Sequence, residues 1–252
     1  MNRLIRYLFK PPASLVKNLI GTITYVETQQ PLIALTFDDG PHPIYTPQLL
    51  EVLQKYGAKA TFFMVGESAM KYPEIVKQVI LAGHAVGNHT WNHLSLPLIS
   101  GRERRKQFRD CAKVLSWDGP KLLRPPYGDQ NIWSCLDAWL LGYKVITWRV
   151  NGNDWLDHEP QWIAENIIKQ VRPGDIILLH DALQQPNIKS AIDRSNTIIA
   201  VDIVLNRLSG QYRVVGVPEL FKSGKPHKQN WFKKPDLNWL ETKNRAYKEI
   251  KQ

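Results

Sequence analysis

Several polar residues in this 252-residue chain are of types that could do hydrolytic chemistry. Asp38 and Asp39 stand side by side in "LTFDDGPHP", between an apolar run and Gly40-Pro41. Adjacent carboxylates repel when both are ionised, and they favour turns. Alone, the pair reads as two solvated acids in a turn. In "NHTWNH", His89 and His93 are four apart, so a helical turn would put both imidazoles on one side. A lone pair of this kind is more often structural or superficial. Two imidazoles with one carboxylate, however, form a ligand set for a catalytic divalent ion that keeps positions open for water and substrate. One aspartate would then bind the ion, and the other would lie close enough to take a proton from water there. The cation would also relieve the repulsion between the two acids. His42, His84 and His158 have no such company in the sequence and read as structural or surface residues.

The elements that must position these groups alternate in type. "TITYVET" and "PLIALTF" read as strands on either side of Gln29-Gln30, as in a hairpin. "TPQLLEVLQKYG" reads as a helix with Thr46 as its cap, Pro47 in its first turn and Gly57 at its stop. "KATFFMVG" is a buried strand, "SAMKYPEIVKQVILAG" is helical around Pro73, and "HAVGNH" is a short strand and loop. A charged helix over residues 100–117 follows, then strand "KLLR", helix "NIWSCLDAWLLG", strand "YKVITWRV", helix "EPQWIAENIIKQV", strand "DIILLH", helix "NTIIAVDIVLNRLSG" and strand "YRVVGV". Strands that are apolar throughout and separated by helices imply a parallel sheet covered on its faces. Six or seven such units in about 200 residues suggest an α/β barrel. Asp38 and Asp39, His89, Arg124, Asn151 with Asp154, and His180 all fall at C-terminal strand ends. In a parallel barrel those ends share one face, where active sites are built. This coincidence lifts the aspartate pair above the turn reading.

Charge is uneven along the chain. The net charge is +10. Residues 1–21 carry Arg3, Arg6, Lys10 and Lys17 and no acid, and residues 222–252 carry nine Lys/Arg against Asp236, Glu241 and Glu249, which leaves 22–221 neutral. The expected organisation is therefore a basic N-terminal extension (1–21), a catalytic domain (22–221) and a basic C-terminal extension rich in Lys, Trp and Pro (222–252). A neutral body does not suit nucleic acid, whose partners line the folded surface with positive charge. The basic ends suit an anionic polymer or a membrane surface, or are solubilising tails. Leu4, Ile5, Leu8 and Phe9 could share one face of a short interfacial helix. Arg6, Lys10 and Pro11-Pro12 interrupt every apolar run near the start, so no cleavable signal peptide or transmembrane span is expected. A cytoplasmic and an envelope-associated location both stay open. Cys111 and Cys135 form no metal or disulfide signature.

Taken in order, "TFDDGP", "HTWNH", "RPPYG", "NGNDW" and "LLH" resemble the polysaccharide deacetylases of the NodB-homology class, carbohydrate esterase family 4, over residues 30–221. The resemblance implies a distorted (β/α)7-type barrel related to TIM barrels. It also implies a divalent metal, with zinc expected, and removal of acetyl groups from an N-acetylated glycan of chitin, peptidoglycan or oligosaccharide type. It assigns Asp38 as general base and Asp39, His89 and His93 as metal ligands. Arg124 would pair with Asp38, and the Tyr127 N–H would bind the oxyanion. His180 would be the general acid, oriented by Asp154, and Trp155 and Leu178 would shape the acetyl pocket. Asn151 departs from the family pattern, which has Asp there; this bears on substrate positioning more than on the core reaction, because Asp154 remains. Two alternatives are a hydrolase of the same fold acting on a non-carbohydrate amide or imide, and a non-catalytic glycan-binding protein. The second has no need of both Asp38 and His180.

Overall fold

The computed structural model describes residues 13–242, apart from 117, 185 and 187–189. The apolar face expected on Leu4, Ile5, Leu8 and Phe9 lies outside the described residues. Helix α1 (Ala13–Ile20) leads into β1 (Thr22–Glu27) and β2 (Leu32–Asp38). There follow α2 (Tyr45–Lys55), β3 (Thr61–Met64), α3 (Gly66–Lys71), α4 (Pro73–Leu81), β4 (Ala85–Asn88) and α5 (Gly101–Leu115). Next come β5 (Leu122–Leu123), α6 (Ile132–Leu140), β6 (Lys144–Val145), β7 (Val150–Asn151), α7 (Pro160–Ile168) and β8 (Ile176–His180). The described chain continues with α8 (Ser195–Leu208), β9 (Arg213–Val214), α9 (Val217–Leu220) and β10 (Lys225–Gln229).

Local chemistry explains several boundaries. Ser100 caps α5 by accepting from the Glu103 N–H, and Asn131 with Ser134 forms a reciprocal capping box on α6. Tyr72 sits at φ −130°, ψ 58° and separates α3 from α4, because the residue before Pro73 is pushed out of the helical region. Thr46 is not a cap: it lies inside the first turn of α2, and its hydroxyl donates to Asp181 instead.

The sheet follows the order β6-β5-β4-β3-β2-β8-β7, all parallel, with β9 pairing to the start of β2. Its two rims, β6 and β7, belong to one stretch of chain. "YKVITWRV", expected as a single strand, bends between them. The Ile146 N–H bonds Leu123 O at 2.8 Å on one side, and the Arg149 N–H bonds Ile176 O at 3.1 Å on the other. Ile23 of β1 wedges into the bend, accepting from the Thr147 N–H at 2.9 Å. The result is a distorted α/β barrel. The hairpin expected between β1 and β2 does not form, since β3 and β8 occupy both sides of β2. β1 pairs antiparallel with β10 instead.

Strand alternation sorts the core. Ile33, Leu35 and Phe37 of β2, with Ile177 and Leu179 of β8, pack outward against α2, α4, α7 and α8. Leu32, Ala34 and Ile176 face the barrel interior with Phe63 and Ile146. With a period of two, Thr36 and Asp38 must continue the inner face of β2, and Leu178 and His180 that of β8. Among the described residues no helix is long and apolar enough to cross a membrane.

Candidate metal and catalytic centre

The inner faces of β2 and β8 bring Asp38 and His180 into register as neighbours at the barrel mouth. Asp39, the next residue, sits at φ 76°, in the left-handed region that Asp tolerates better than most side chains. The turn aims its carboxylate at the loop after β4, where His89 Nε2 lies 3.3 Å from Asp39 Oδ1 and 3.8 Å from Asp38 Oδ2. The Gln184 N–H holds Asp39 Oδ2 at 2.7 Å.

That loop carries both histidines, but not on a helix. Residues 89–93 are irregular, and Thr90 and His93 have φ of 68° and 61°. The convergence expected from a helical turn is produced by two left-handed residues instead. The Nε2 atoms of His89 and His93 lie 3.3 Å and 3.0 Å from Asp39 Oδ1. The three ligand atoms lie within 4.8 Å of one another, and all three residues are buried. His89 Nδ1 is 2.9 Å from Arg124 O. A carbonyl can only accept, so Nδ1 carries a proton, which leaves Nε2 as the nitrogen turned toward the carboxylate. Two imidazole nitrogens and a carboxylate oxygen converging in a buried cup are a donor set that fits a divalent cation. Burial opposes ionisation of Asp39, yet His93 and His89 outweigh it and hold the carboxyl well below its usual range.

Two charge pairs flank the cup. On one side Arg124, fully buried, donates from one guanidinium nitrogen to Asp38 Oδ1 and Thr36 Oγ1, both at 2.7 Å. Its other terminal nitrogen donates to Thr147 O at 3.0 Å. The guanidinium lies 4.2 Å from the ring centroid of Phe63. On the other side the His180 ring donates from Nδ1 to Asp154 Oδ1 at 2.9 Å, and its main-chain N–H bonds Asp154 Oδ2 at 2.9 Å. Burial disfavours the charged imidazolium, but Asp154, then Asp39 and Asp38, raise the His180 pKa above the ordinary histidine value. Burial likewise works against Asp154, and His180 and Arg194 bring its pKa below the usual value.

A family model described as polysaccharide deacetylase matches residues 25–146. The peptidoglycan-N-acetylglucosamine deacetylase of Bacillus cereus is 38% identical over 208 residues, covering 80% of this chain and 94% of the relative. The chain belongs to the polysaccharide deacetylase family. A chitooligosaccharide deacetylase of Azorhizobium caulinodans is 36% identical over 168 residues, covering 65% of this chain and 80% of the relative. Among solved structures, the Bc1960 peptidoglycan N-acetylglucosamine deacetylase superposes with a TM-score of 0.76 at 31% identity, covering 86% of this chain and 99% of that one.

Around this polysaccharide-deacetylase centre lies a pocket of about 310 Å³. Asp38, Asp39, His89, His93, Tyr127, Trp155, Leu178 and His180 all line it. Arg124 and Asp154 stand behind Asp38 and His180. Tyr127 adopts φ 60°, ψ 2°, a rare conformation for a bulky residue, and its ring packs on His93 at 4.5 Å. Asn151 also lines the pocket, with its side-chain oxygen accepting from the Asn153 N–H. That turn-forming bond needs no charge.

Sequence reasoning missed several supporting groups. Arg194 is buried and donates to Asp154 Oδ2 at 2.6 Å and Asp154 O at 2.8 Å. It lies 40 residues from its partner, and no local motif marks it. Asp181 is buried beside the cup, accepts from Thr46 Oγ1 at 2.5 Å, and has its pKa pushed up to about 7 by burial. Lys233, Asp236 and Trp239, from the stretch set apart as a C-terminal extension, also line the pocket. Its Trp-rich composition was the one available signal.

Proposed function

We propose that the protein is a metal-dependent N-deacetylase acting on an N-acetylated glycan, with Asp39, His89 and His93 holding a zinc ion. That ion, when bound, supplies Lewis-acid polarisation of the acetyl carbonyl and acidifies water. Asp38 takes the proton from the attacking water; Arg124, hydrogen-bonded to its Oδ1, holds the carboxylate in place at the pocket. The Tyr127 N–H donates to the carbonyl oxygen as negative charge develops there. His180 passes a proton to the departing nitrogen, because an amine leaves poorly unless it is protonated. Asp154 holds the His180 ring in one tautomer and stabilises its charged form. Trp155 and Leu178 enclose the acetyl methyl.

The observation that carries this reading is the pairing of a proton acceptor and a proton donor at neighbouring strand ends, both lining the pocket that holds the ligand cup. Asp38 is backed by a cation, and His180 is backed by an anion. A protein that only bound glycans would have no use for that polarity. Peptidoglycan and chito-oligosaccharide relatives support a cell-envelope or chitin-type glycan. The basic ends fit attachment to an anionic envelope surface, which is tested by co-sedimentation with anionic liposomes before and after removal of residues 1–12. The function itself is tested by acetate release from peptidoglycan, chito-oligosaccharides and small N-acetyl compounds. Release from a glycan that stops with chelator and returns with zinc is the expected result. Release from small non-carbohydrate amides alone would overturn the glycan assignment.

A further inference from the structure

Lys233, Asp236 and Trp239 reach the pocket from beyond β10, and the chain that carries them is fastened to the loop after β5. The Trp231 indole N–H donates to Gly128 O at 3.0 Å, and Lys233 Nζ donates to Tyr127 O at 2.6 Å. The Gln130 N–H donates to Lys233 O at 3.1 Å. Trp231 packs on Trp148 with centroids 5.5 Å apart. Gly128, at φ 71°, holds a backbone conformation that strains other residues, and a Cβ there would press on Trp148 at 3.0 Å. Docked in this way, Trp239 stands nearly perpendicular to two pocket aromatics. Its ring is 5.2 Å from Tyr127 at 81° and 6.5 Å from Trp155 at 85°. It therefore links the loop after β5 to the loop after β7.

Asp38 and His180, the proton acceptor and donor of the deacetylase reading, lie on the barrel side of this pocket. Trp239 contributes flat aromatic surface, and Lys233 and Asp236 contribute polar groups at the rim. Flat rings with a few polar neighbours suit a ligand with an apolar face and hydroxyl edges, as a pyranose has. We infer that Trp239 is a sugar-binding residue: with Tyr127 and Trp155 it forms a three-sided aromatic collar that grips the sugar ring whose acetamido group enters the pocket. This rests on the deacetylase reading above and adds the element that recognises the sugar.

The test uses full-length protein carrying Trp239→Ala, Trp239→Phe or Leu237→Ala. Leu237 is exposed on the same turn of chain and does not line the pocket. Kinetics are measured on a chito-oligosaccharide and on an aryl acetate, which has no sugar ring. Binding of the same oligosaccharide to chelator-treated protein is measured by calorimetry. Trp239→Ala should raise the oligosaccharide KM and Kd about tenfold, and lower the glycan-to-aryl-acetate ratio of kcat/KM by about the same factor. Trp239→Phe should recover most of both, and Leu237→Ala should match the unmodified protein. A Trp239→Ala protein with unaltered KM and Kd would overturn the inference. So would equal losses on glycan and aryl acetate, which would make Trp239 a structural plug. Failure of the unmodified protein to release acetate from any glycan would instead sink the deacetylase reading, and this inference with it. An active unmodified protein beside an indifferent Trp239→Ala variant would sink this inference alone.

Discussion

Asp38 and Asp39 are consecutive in the chain and both approach His89, at 3.8 Å and 3.3 Å, yet their hydrogen-bond partners differ, and the difference begins with one dihedral angle. Asp38 ends β2 in extended geometry and meets Arg124; Asp39 turns left-handed and meets His89 and His93. Asp38→Asn should therefore keep bound metal and lose at least about 100-fold in kcat, whereas His93→Ala should lose both; metal content and acetate release measured on the same samples separate the two outcomes. Near-normal turnover by Asp38→Asn would remove the base assignment. The acid is open to a pH test. Asp154 is the chief group raising the His180 pKa, so the proton-donating form persists above the ordinary histidine range. Activity that needs this form falls as pH rises through that pKa. Asp154→Asn should lower the pKa and move the basic limb of the kcat profile to lower pH. A basic limb that does not move would dissociate His180 from proton donation.

Each functional side chain is placed by the end of an element, and the elements are tied to one another by buried charge. Arg104 of α5 donates from Nε to Asp137 of α6 at 2.7 Å and from a terminal nitrogen to Ile99 O at 2.6 Å. Both side chains are buried. Asp137→Asn leaves the guanidinium without its counter-charge and should cost about 2–4 kcal/mol of stability, read from the denaturation midpoint with kcat little affected. This scale is also where the sequence was most legible. Apolar strands with polar C-terminal residues gave the parallel barrel and gathered Asp38, His89, Arg124, Asp154 and His180 at one mouth, because strand direction and period fix both end and face. Backbone irregularity was less legible. Thr90 is β-branched and has no preference for the left-handed region it adopts, so the His89–His93 spacing suggested a helical turn that does not form. The bend in 144–151 was invisible because Val145, Ile146, Thr147, Trp148 and Val150 all favour strands. Arg194 and Trp239 depend on contacts between distant segments, which local patterns do not encode.

At the scale of the whole molecule, the cup joins segments far apart in sequence: the turn after β2 and the loop after β4, with Arg124 O steadying His89 from the end of β5. A ligand bound only by the folded state stabilises all of it together. Metal present at about 100 times its Kd should contribute about 2.7 kcal/mol, so chelation should lower the Tm of a chain this size by about 5–10 °C, and zinc should restore it. A Tm indifferent to chelator would count against the cup as a metal site. The barrel wall has a comparable economy of parts. Open sheets expose two borders that invite pairing with another molecule, and most hide them with charge, proline or a covering helix. Here one short run of backbone supplies both borders, bonding to Leu123 on one flank and Ile176 on the other. The cylinder is closed by the run from Ile146 to Arg149 with Ile23 of β1 lodged between the two borders, where it bridges to Ile146 and accepts from the Thr147 N–H, so the gap between them is plugged by a strand from outside the barrel wall.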